Sequence, residues 1–241
     1  MRAFVLSAAL VTLAGCQETD PTPRPDVSEA VQPGATATPA SPTTPDRPVV
    51  DSDTTVVLFF GDSLTAGYGL PDPDLAYPAL VGAQIEAAGV PVRVVNAGVS
   101  GETSAGGRGR IAWALRQTTP DVFVLALGAN DGLRGTDPDA TRANLDAILS
   151  TVEQTVPGAR LVVAGMEALP NYGADYGARF RSVFPAVAQA HDAALIPFLL
   201  EGVAGQARLN QADGVHPTAE GQTIIAQTVA EVVVPLALAD R

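Results

Sequence analysis

Lysine is absent from this sequence of 241 residues, so every basic side chain other than histidine is an arginine. The absence excludes a P-loop lysine, a Schiff-base lysine and a lysine general base. The single cysteine, Cys16, has no partner for an intramolecular disulfide bond. Two histidines, His191 and His216, are too few for a zinc site built from histidine and cysteine ligands.

Basic residues are also few, with 14 against 26 acidic residues and a formal net charge of −12. A chain of this charge repels polyanions, which argues against nucleic-acid binding. Hydrophobic residues make up 46% of the chain, and its length suits one large domain or two small ones. The chain can therefore bury a hydrophobic core.

The amino-terminal segment has the pattern of an export signal. Arg2 supplies a positive start, residues 3–12 form an apolar run too short to span a bilayer, and Leu13–Cys16 follows at once. The Leu-Ala-Gly-Cys run resembles the lipobox of bacterial lipoproteins, which implies cleavage before Cys16 and membrane anchoring by acyl chains on that cysteine. Gln17 resembles the outer-membrane sorting class, so we expect a periplasmic, membrane-anchored lipoprotein. The alternative is an ordinary cleaved leader and a soluble periplasmic protein.

A linker is predicted at residues 16–52, after a signal peptide at residues 1–15. The linker is rich in proline, threonine, alanine, serine and acidic residues, and it has almost no large apolar side chain. Such a segment cannot offset its ordering entropy by burial. It lets a domain reach on the order of 30 Å or more from its anchor. The folded domain is predicted at residues 53–241.

Short, continuously apolar segments alternate with helical segments in this domain. Continuous apolarity is typical of strands in a parallel sheet that is covered on both faces. The predicted strands are Val56–Phe60, Val92–Val95, Val122–Leu127, Leu161–Val163 and Ala194–Phe198. The predicted helices are Tyr77–Ala88, Gly107–Gln117, one opening at Asp137-Pro138, Tyr176–His191, and one from about Thr218 to Val234. The pattern predicts an α/β fold, a three-layer α/β/α sandwich with a five-stranded parallel sheet, whose ligands bind beyond the carboxyl ends of the strands.

Three loops that follow predicted strands carry candidate functional residues. Ser63 lies just past the first strand and before a predicted helix, where a nucleophile is well presented, although Thr65 breaks the G-x-S-x-G pattern of α/β-hydrolases. Gly101 and Asn130 follow the second and third strands. Taken alone, Ser63 and Asn130 fit a helix cap or a turn equally well, and an ordinary strand-to-helix loop is the better explanation for Gly101.

Asp213 and His216 share the run Asp-Gly-Val-His-Pro before the last helix. A spacing of three lets the carboxylate reach one ring nitrogen while the other faces outward. The alternative is an Asp-Gly turn with an incidental histidine. His191 is predicted to be a solvated residue at a helix end, favoured there by the helix dipole. Together, a serine, a glycine, an asparagine and a His/Asp pair are the groups that acyl transfer through a tetrahedral intermediate requires.

Four ordered blocks closely resemble the SGNH (GDSL) hydrolase superfamily: FGDSLTAGYGL, NAGVSGETSAGGRGRI, LGANDGLRG and DGVHP. With the later LPNYG segment, they are similar to the bacterial periplasmic multifunctional thioesterase/lysophospholipase/arylesterase branch, and the resemblance covers about residues 54–235. It implies a flavodoxin-like fold and a serine esterase for aryl esters, acyl-CoA thioesters and lysophospholipids. It also implies a chain that needs neither a metal nor another cofactor, and we expect a monomer.

The resemblance assigns a role to each matching residue. It implies that Ser63 is the nucleophile, that His216 is the general base and then the general acid, and that Asp213 orients the imidazole. It further implies an oxyanion hole formed by the backbone N–H groups of Ser63 and Gly101 with the side-chain amide of Asn130.

The resemblance also implies an acyl groove under two loops, with Leu133, Leu169 and Tyr172 as candidate wall residues. Ordinary packing of these three side chains is the alternative. Glu167-Ala168 departs from close relatives, which typically have a basic residue followed by a branched apolar one. A carboxylate at the rim is predicted to repel anionic substrates and so to favour neutral esters.

Three other functions are weighed against this interpretation. A dinucleotide-binding domain is disfavoured, because the G-x-G-x-x-A run at Gly107–Ala112 does not follow the first strand. A carbohydrate O-acetylesterase would use the same catalytic residues together with sugar-binding aromatics, but aromatics are 5% of the chain and Trp113 is predicted to lie in the core. A non-catalytic envelope lipid-binding lipoprotein would not need the full set of polar residues.

Overall fold

The computed structural model describes residues 53–239. The predicted signal peptide at residues 1–15, the acylation site Cys16 and the linker at residues 16–52 lie outside the described residues. The described part of the chain contains a single sheet of five strands, in which every neighbouring pair is parallel. The strands are β1 (Thr55–Gly61), β2 (Val92–Gly98), β3 (Val122–Ala126), β4 (Arg160–Ala164) and β5 (Ala194–Ile196), in the order β2-β1-β3-β4-β5. The predicted five-stranded parallel sheet is confirmed.

Residues 53–239 form seven α-helices around the sheet. They are α1 (Ser63–Ala66), α2 (Tyr77–Ala87), α3 (Ser104–Gln117), α4 (Ala129–Arg134), α5 (Pro138–Thr155), α6 (Ala174–Ala190) and α7 (Ala219–Leu238). Helix α2 packs against α7, while α5 packs against both α3 and α6. Right-handed crossovers in this strand order put the first pair on one face and the other three helices on the opposite face. The three-layer α/β/α sandwich is confirmed.

The central strands β1 and β3 are buried along almost their whole length, which explains their continuously apolar sequences. The aromatic rings of Phe59, Phe60 and Phe123 on these strands are fully buried. Both strands end beside each other, since Gly61 pairs with Ala126. The loops that follow them therefore meet at one edge of the sheet.

Helices α3 and α4 differ most from the sequence prediction. Helix α3 begins at Ser104, three residues before the predicted Gly107, because the Thr103 hydroxyl caps it by accepting the N–H of Gly106 at 3.3 Å. Helix α4 was not predicted. Its six residues are too few to show a helical period, yet it carries Asn130.

Two side chains lie in surroundings other than those predicted. Trp113 is 57% exposed on the outer side of α3, so its assignment to the core is wrong. The side chain of His191 is only 9% exposed, so its assignment as a solvated residue is also wrong. Helix α6 packs against α5, which places the His191 ring nitrogens 3.5 Å from Asp146 and 3.1 Å from Glu153.

Helix α7 is long and apolar enough to cross a membrane by length and composition alone. Its buried residues include Ile225, Val229 and Val233, which belong to the hydrophobic core. The helix packs against α2 and the sheet, so its apolar character is that of a core helix.

Candidate active site

Ser63 is held at the carboxyl end of β1 by a tight turn. Only glycine fits at Gly61, because a Cβ there would lie 2.0 Å from the Thr65 Oγ1 and 2.7 Å from the Ala126 carbonyl oxygen. Asp62 then caps α1, its Oδ1 accepting the N–H of Leu64 at 3.0 Å. The first residue of α1 is Ser63, which is 8% exposed and lines a cavity at this edge of the sheet.

His216 joins Ser63 to Asp213. The His216 Nε2 lies 3.0 Å from the Ser63 Oγ, and the Nδ1 lies 2.7 Å from the Asp213 Oδ2. The other carboxylate oxygen of Asp213 accepts the N–H groups of Val215 and His216 at 2.9 and 3.0 Å. The structure thus brings together the three side chains that the sequence singled out, across 153 residues of chain between Ser63 and His216.

The turn also fixes the charge of Asp213. The backbone N–H of His216, the imidazole and the N–H of Val215 hold the pKa of that carboxyl well below its usual range. Asp213 is therefore ionised at neutral pH and accepts from the imidazole. This arrangement leaves the Nε2 side of the ring for the serine hydroxyl.

Gln211 connects the two loops that carry Ser63 and His216, and the sequence did not reveal it. Its backbone N–H donates to the carbonyl of His216 at 2.7 Å. Its side-chain Nε2 donates to the carbonyl oxygens of Tyr68 and Pro217 at 2.7 and 3.0 Å. The Tyr68 ring then lies 4.6 Å from the His216 ring. The signal that could have revealed Gln211 is a polar residue just before the Asp213 turn.

Gly101 and Asn130 line the same cavity as Ser63. Gly101 has a φ of +78°, a backbone conformation that favours glycine, and its carbonyl accepts from the Arg134 Nη2 at 3.1 Å. The Asn130 Nδ2 lies 3.3 Å from the Asp62 Oδ2. The three predicted oxyanion-hole residues therefore border one space.

Asp131 anchors the short helix that carries Asn130. Its buried carboxylate accepts the backbone N–H and the hydroxyl of Ser104 at 2.8 and 2.5 Å. The Thr141 hydroxyl also donates to it at 3.3 Å. These contacts join α4 to the start of α3 and to α5, so Asn130 lies on a fixed support.

Arg110 is a second positioning group that the sequence did not indicate. Its guanidinium donates to the carbonyl oxygens of Ala97, near the end of β2, and Gly61, at the end of β1, at 2.7 and 3.3 Å. It pairs with Glu102 at 2.5 Å and stacks on the Phe60 ring at 3.9 Å. Because Glu102 follows Gly101 directly, this pair supports the loop that carries Gly101.

The cavity beside Ser63 has a volume of about 690 Å³. Its wall is mainly apolar, as expected of a site for a hydrocarbon chain. The large apolar wall residues are Leu64, Leu133, Met166, Leu169, Phe198, Leu200 and Val215. The serine hydroxyl thus lies where an apolar chain and a polar reacting group would meet.

Sequence comparison agrees with this geometry, since residues 59–224 match the GDSL-like Lipase/Acylhydrolase family. The chain belongs to that family. It is therefore a hydrolase of ester bonds. Three relatives support the assignment: esterase TesA of Pseudomonas aeruginosa is 39% identical and covers 75% of this chain and 88% of its own. An arylesterase of Vibrio mimicus is 37% identical, and the match covers 73% of this chain and 86% of the relative. The thioesterase 1/protease 1/lysophospholipase L1 of Escherichia coli is 36% identical, covering 75% and 84%.

Solved structures of esterases share the fold. The crystal structure of TesA has a TM-score of 0.71 at 38% identity and covers 76% of this chain and 99% of its own. Esterase EstA from Pseudoalteromonas, solved with monoethylphosphonate as inhibitor, has a TM-score of 0.69 at 31% identity, covering 74% and 96%. The SGNH-hydrolase family esterase AlinE4 has a TM-score of 0.64 at 39% identity, covering 80% and 100%.

Two of the three candidate groove residues of this GDSL hydrolase line the cavity. Leu133 and Leu169 belong to its wall, but Tyr172 does not. The Tyr172 hydroxyl instead donates to the Leu133 carbonyl at 2.9 Å, and its ring lies 5.2 Å from that of Tyr176. Tyr172 therefore contacts the back of a wall residue rather than the cavity itself.

Glu167 lines the cavity and pairs with Arg181 at 3.5 Å. Both side chains are exposed, so the pair is weak, but the arginine compensates the carboxylate charge at the rim. Repulsion of anionic substrates by Glu167 is reduced accordingly.

Within residues 53–239, no group of three or more His, Cys, Asp and Glu side chains is arranged to hold a metal ion.

Proposed function

We propose that this GDSL hydrolase cleaves carboxylic esters and thioesters of medium or long acyl chains through an acyl-Ser63 intermediate. The 3.0 Å contact between the His216 Nε2 and the Ser63 Oγ carries the proposal. It is the geometry that a base needs to accept the hydroxyl proton while the serine oxygen attacks a carbonyl carbon.

In the proposed reaction, His216 takes the Ser63 proton and the serine oxygen bonds to the substrate carbonyl carbon. The oxyanion of the tetrahedral intermediate accepts from the N–H groups of Ser63 and Gly101 and from the Asn130 amide. Asp213 stays ionised and stabilises the imidazolium. The imidazolium then gives its proton to the departing alcohol or thiol, which leaves an acyl ester on Ser63.

The second half-reaction uses the same groups, with water in place of the serine hydroxyl as the nucleophile. His216 takes a proton from water, the resulting hydroxide attacks the acyl-Ser63 carbonyl, and the oxyanion forms again in the same position. Collapse returns the proton to the Ser63 oxygen and releases the carboxylic acid. The relatives named arylesterase, thioesterase and lysophospholipase support this range of leaving groups.

The apolar wall favours an acyl chain longer than acetyl. A chain of several methylenes gains roughly 0.8 kcal/mol for each one that it buries. A carbohydrate O-acetylesterase would have no use for such a wall. The exposed Trp113 is absent from the cavity wall, so it does not support sugar binding at this site.

Initial rates on p-nitrophenyl esters from acetyl to palmitoyl, beside lysophosphatidylcholine and palmitoyl-CoA, test this proposal. We expect turnover of medium or long chains that falls to background in Ser63→Ala. Ser182→Ala, which removes an exposed hydroxyl on α6, serves as the matched control and should keep full activity. Activity confined to acetyl esters would indicate the carbohydrate O-acetylesterase, and no ester turnover would indicate a binding protein.

The proposed place of action is the periplasmic side of a membrane, with Cys16 acylated, and the proposed active form is a monomer. The sequence of residues 1–17 supports the anchor. A tethered esterase has direct access to lipid esters, which fits the apolar cavity. The linker at residues 16–52 would let the domain reach substrates on the order of 30 Å from the anchor.

A further inference from the structure

Asp62 is a buried carboxylate that the proposed mechanism leaves without a role. Its exposed fraction is 0%, and it lies directly before Ser63. Burial raises its pKa to about 7, with the Leu64 N–H, the Asn130 amide and His216 each opposing the rise. Burying a carboxylate in such surroundings lowers the stability of the fold unless the charge is well hydrogen-bonded or paired. The presence of this carboxylate beside Ser63 therefore calls for an explanation.

The helix cap alone does not explain this carboxylate. Asparagine or serine would cap α1 about as well by accepting the Leu64 N–H, and neither would bury a charge. Compared with asparagine or serine, an ionised aspartate has a second oxygen that accepts hydrogen bonds and cannot donate one. That oxygen, the Oδ2, faces the Asn130 Nδ2 at 3.3 Å.

An acceptor at this place decides which way the Asn130 amide points. The amide has an oxygen at one end and two N–H groups at the other, and the carboxylate oxygen accepts only from the nitrogen end. Because the amide is planar, fixing one N–H also fixes the direction of the other. Asn130 lines the cavity beside Ser63 and Gly101, where a donor is useful and a carbonyl oxygen would repel an oxyanion.

We propose that Asp62 is a positioning residue for ester hydrolysis, whose carboxylate orients the Asn130 amide as an oxyanion donor while capping the turn that carries Ser63. One oxygen serves each task, so a single side chain connects the end of β1 to α4, 68 residues further along the chain. The proposal rests on the function proposed above and deepens it.

The substitution Asp62→Asn tests the orientation directly. It preserves shape but supplies one oxygen and one amino group. If the oxygen keeps the Leu64 cap, the amino group faces the Asn130 nitrogen, and the Asn130 amide must turn its oxygen toward residue 62. We expect kcat to fall by roughly 10²-fold with KM nearly unchanged, because the lost interaction exists mainly in the transition state.

A double-mutant cycle separates positioning from a merely structural effect. If Asp62 acts through Asn130, then Asp62→Asn combined with Asn130→Ala should be no slower than Asn130→Ala alone. Multiplied losses in the double variant would overturn the proposal. Asp72→Asn changes an exposed N-cap aspartate away from the cavity and should keep wild-type rates.

Asp62→Ser provides a second variant in case the asparagine variant does not fold. Serine can cap the Leu64 N–H but is too short to hold the Asn130 amide, so the same loss and the same non-additivity are expected. Thermal unfolding midpoints near the wild-type value show that the rates report on intact protein. An additive result with either folded variant would overturn the proposal.

The pH profile gives a test in proteins with Asp62 unchanged. Below about pH 7, the protonated Asp62 carboxyl carries a hydroxyl in place of one acceptor oxygen, so the Asn130 amide loses its fixed acceptor and activity should fall. The acid limb of log kcat/KM should therefore be steeper in wild type than in Asn130→Ala, whose activity does not depend on that acceptor. The other titratable groups that interact with Asp62 are His216, Glu102 and Tyr77, and Arg110 is paired with Glu102. Equal slopes would overturn the proposal.

The outcomes also separate this proposal from the one it rests on. Activity that persists in Ser63→Ala would overturn the acyl-Ser63 mechanism itself. Activity that is lost in Ser63→Ala but unchanged in Asn130→Ala would leave that mechanism standing and overturn the role of Asp62. Loss in both, with a non-additive Asp62→Asn, supports the two proposals together.

Discussion

At the scale of single residues, Asn130 is the side chain on which the proposed transition-state stabilisation most depends. It is a neutral amide on a short helix, supported by Asp62 on one side and by the Asp131 contacts to Ser104 on the other. Such a fixed donor needs no reorganisation when charge develops on the substrate oxygen. Its removal should therefore affect the rate more than substrate binding.

The variant Asn130→Ala is expected to lower kcat by roughly 10²–10³-fold, because one oxyanion donor is lost. Steady-state kinetics on a p-nitrophenyl ester, with KM determined separately, measures this. Gln154→Ala removes an exposed amide near the end of α5 and serves as the control. Wild-type kcat in Asn130→Ala would exclude Asn130 from the mechanism.

At the residue scale, the sequence was sufficient where chemically reactive side chains lie within a short recognisable pattern. Ser63, Asp213 and His216 were singled out from local patterns, and the structure places them in hydrogen-bonding distance. Asp62 and Gln211 were not singled out, because their partners Asn130 and Tyr68 lie 68 and 143 residues away. A contact of that range leaves no spacing signal in the chain.

At the scale of elements, the segments after β3 and β4 together form one part of the wall of the cavity. Tyr172 joins them, since its hydroxyl donates to the Leu133 carbonyl from the segment after β4. The net contribution of such a hydrogen bond to stability is about 0.5–1.5 kcal/mol. The contact is thus strong enough to influence how well Leu133 packs against an acyl chain.

The variant Tyr172→Phe should lower kcat/KM for long-chain esters by up to about tenfold, the equivalent of that lost hydrogen bond, and leave acetyl esters nearly unaffected. Rates across the p-nitrophenyl series measure the ratio. Tyr176→Phe, which removes a similar bond to the Thr136 carbonyl, is the matched control. An unchanged chain-length profile in Tyr172→Phe would show that this contact does not shape the wall.

Elements were predictable where their sequence signal is long. All five strands and the five longer helices lie where continuous apolarity, helical periodicity and caps such as Asp137-Pro138 indicated. Helix α4 was missed because six residues cannot show a period, and the start of α3 was misplaced because its glycines resemble a loop. Trp113 was misassigned because a helical pattern alone does not say whether its apolar side faces the core.

At the scale of the whole molecule, we propose that a linker joins an acidic esterase domain to a membrane anchor. The mature chain should begin at Cys16 and carry fatty acid there. Incorporation of an alkyne-tagged fatty acid in cells measures this, with strong labelling expected for wild type and none for Cys16→Ser. Equal absence of label in both would indicate an ordinary cleaved leader instead.

The central claim is that Ser63 becomes covalently acylated, and it can be tested by intact-mass and peptide analysis. The protein would be treated with a p-nitrophenyl alkylphosphonate, which reacts at the attacked position and stays bound. We predict one adduct per chain, located on Ser63, with parallel loss of esterase activity and no adduct in Ser63→Ala. An adduct on another residue, or inactivation of the enzyme with Ser63 unmodified, would contradict the account.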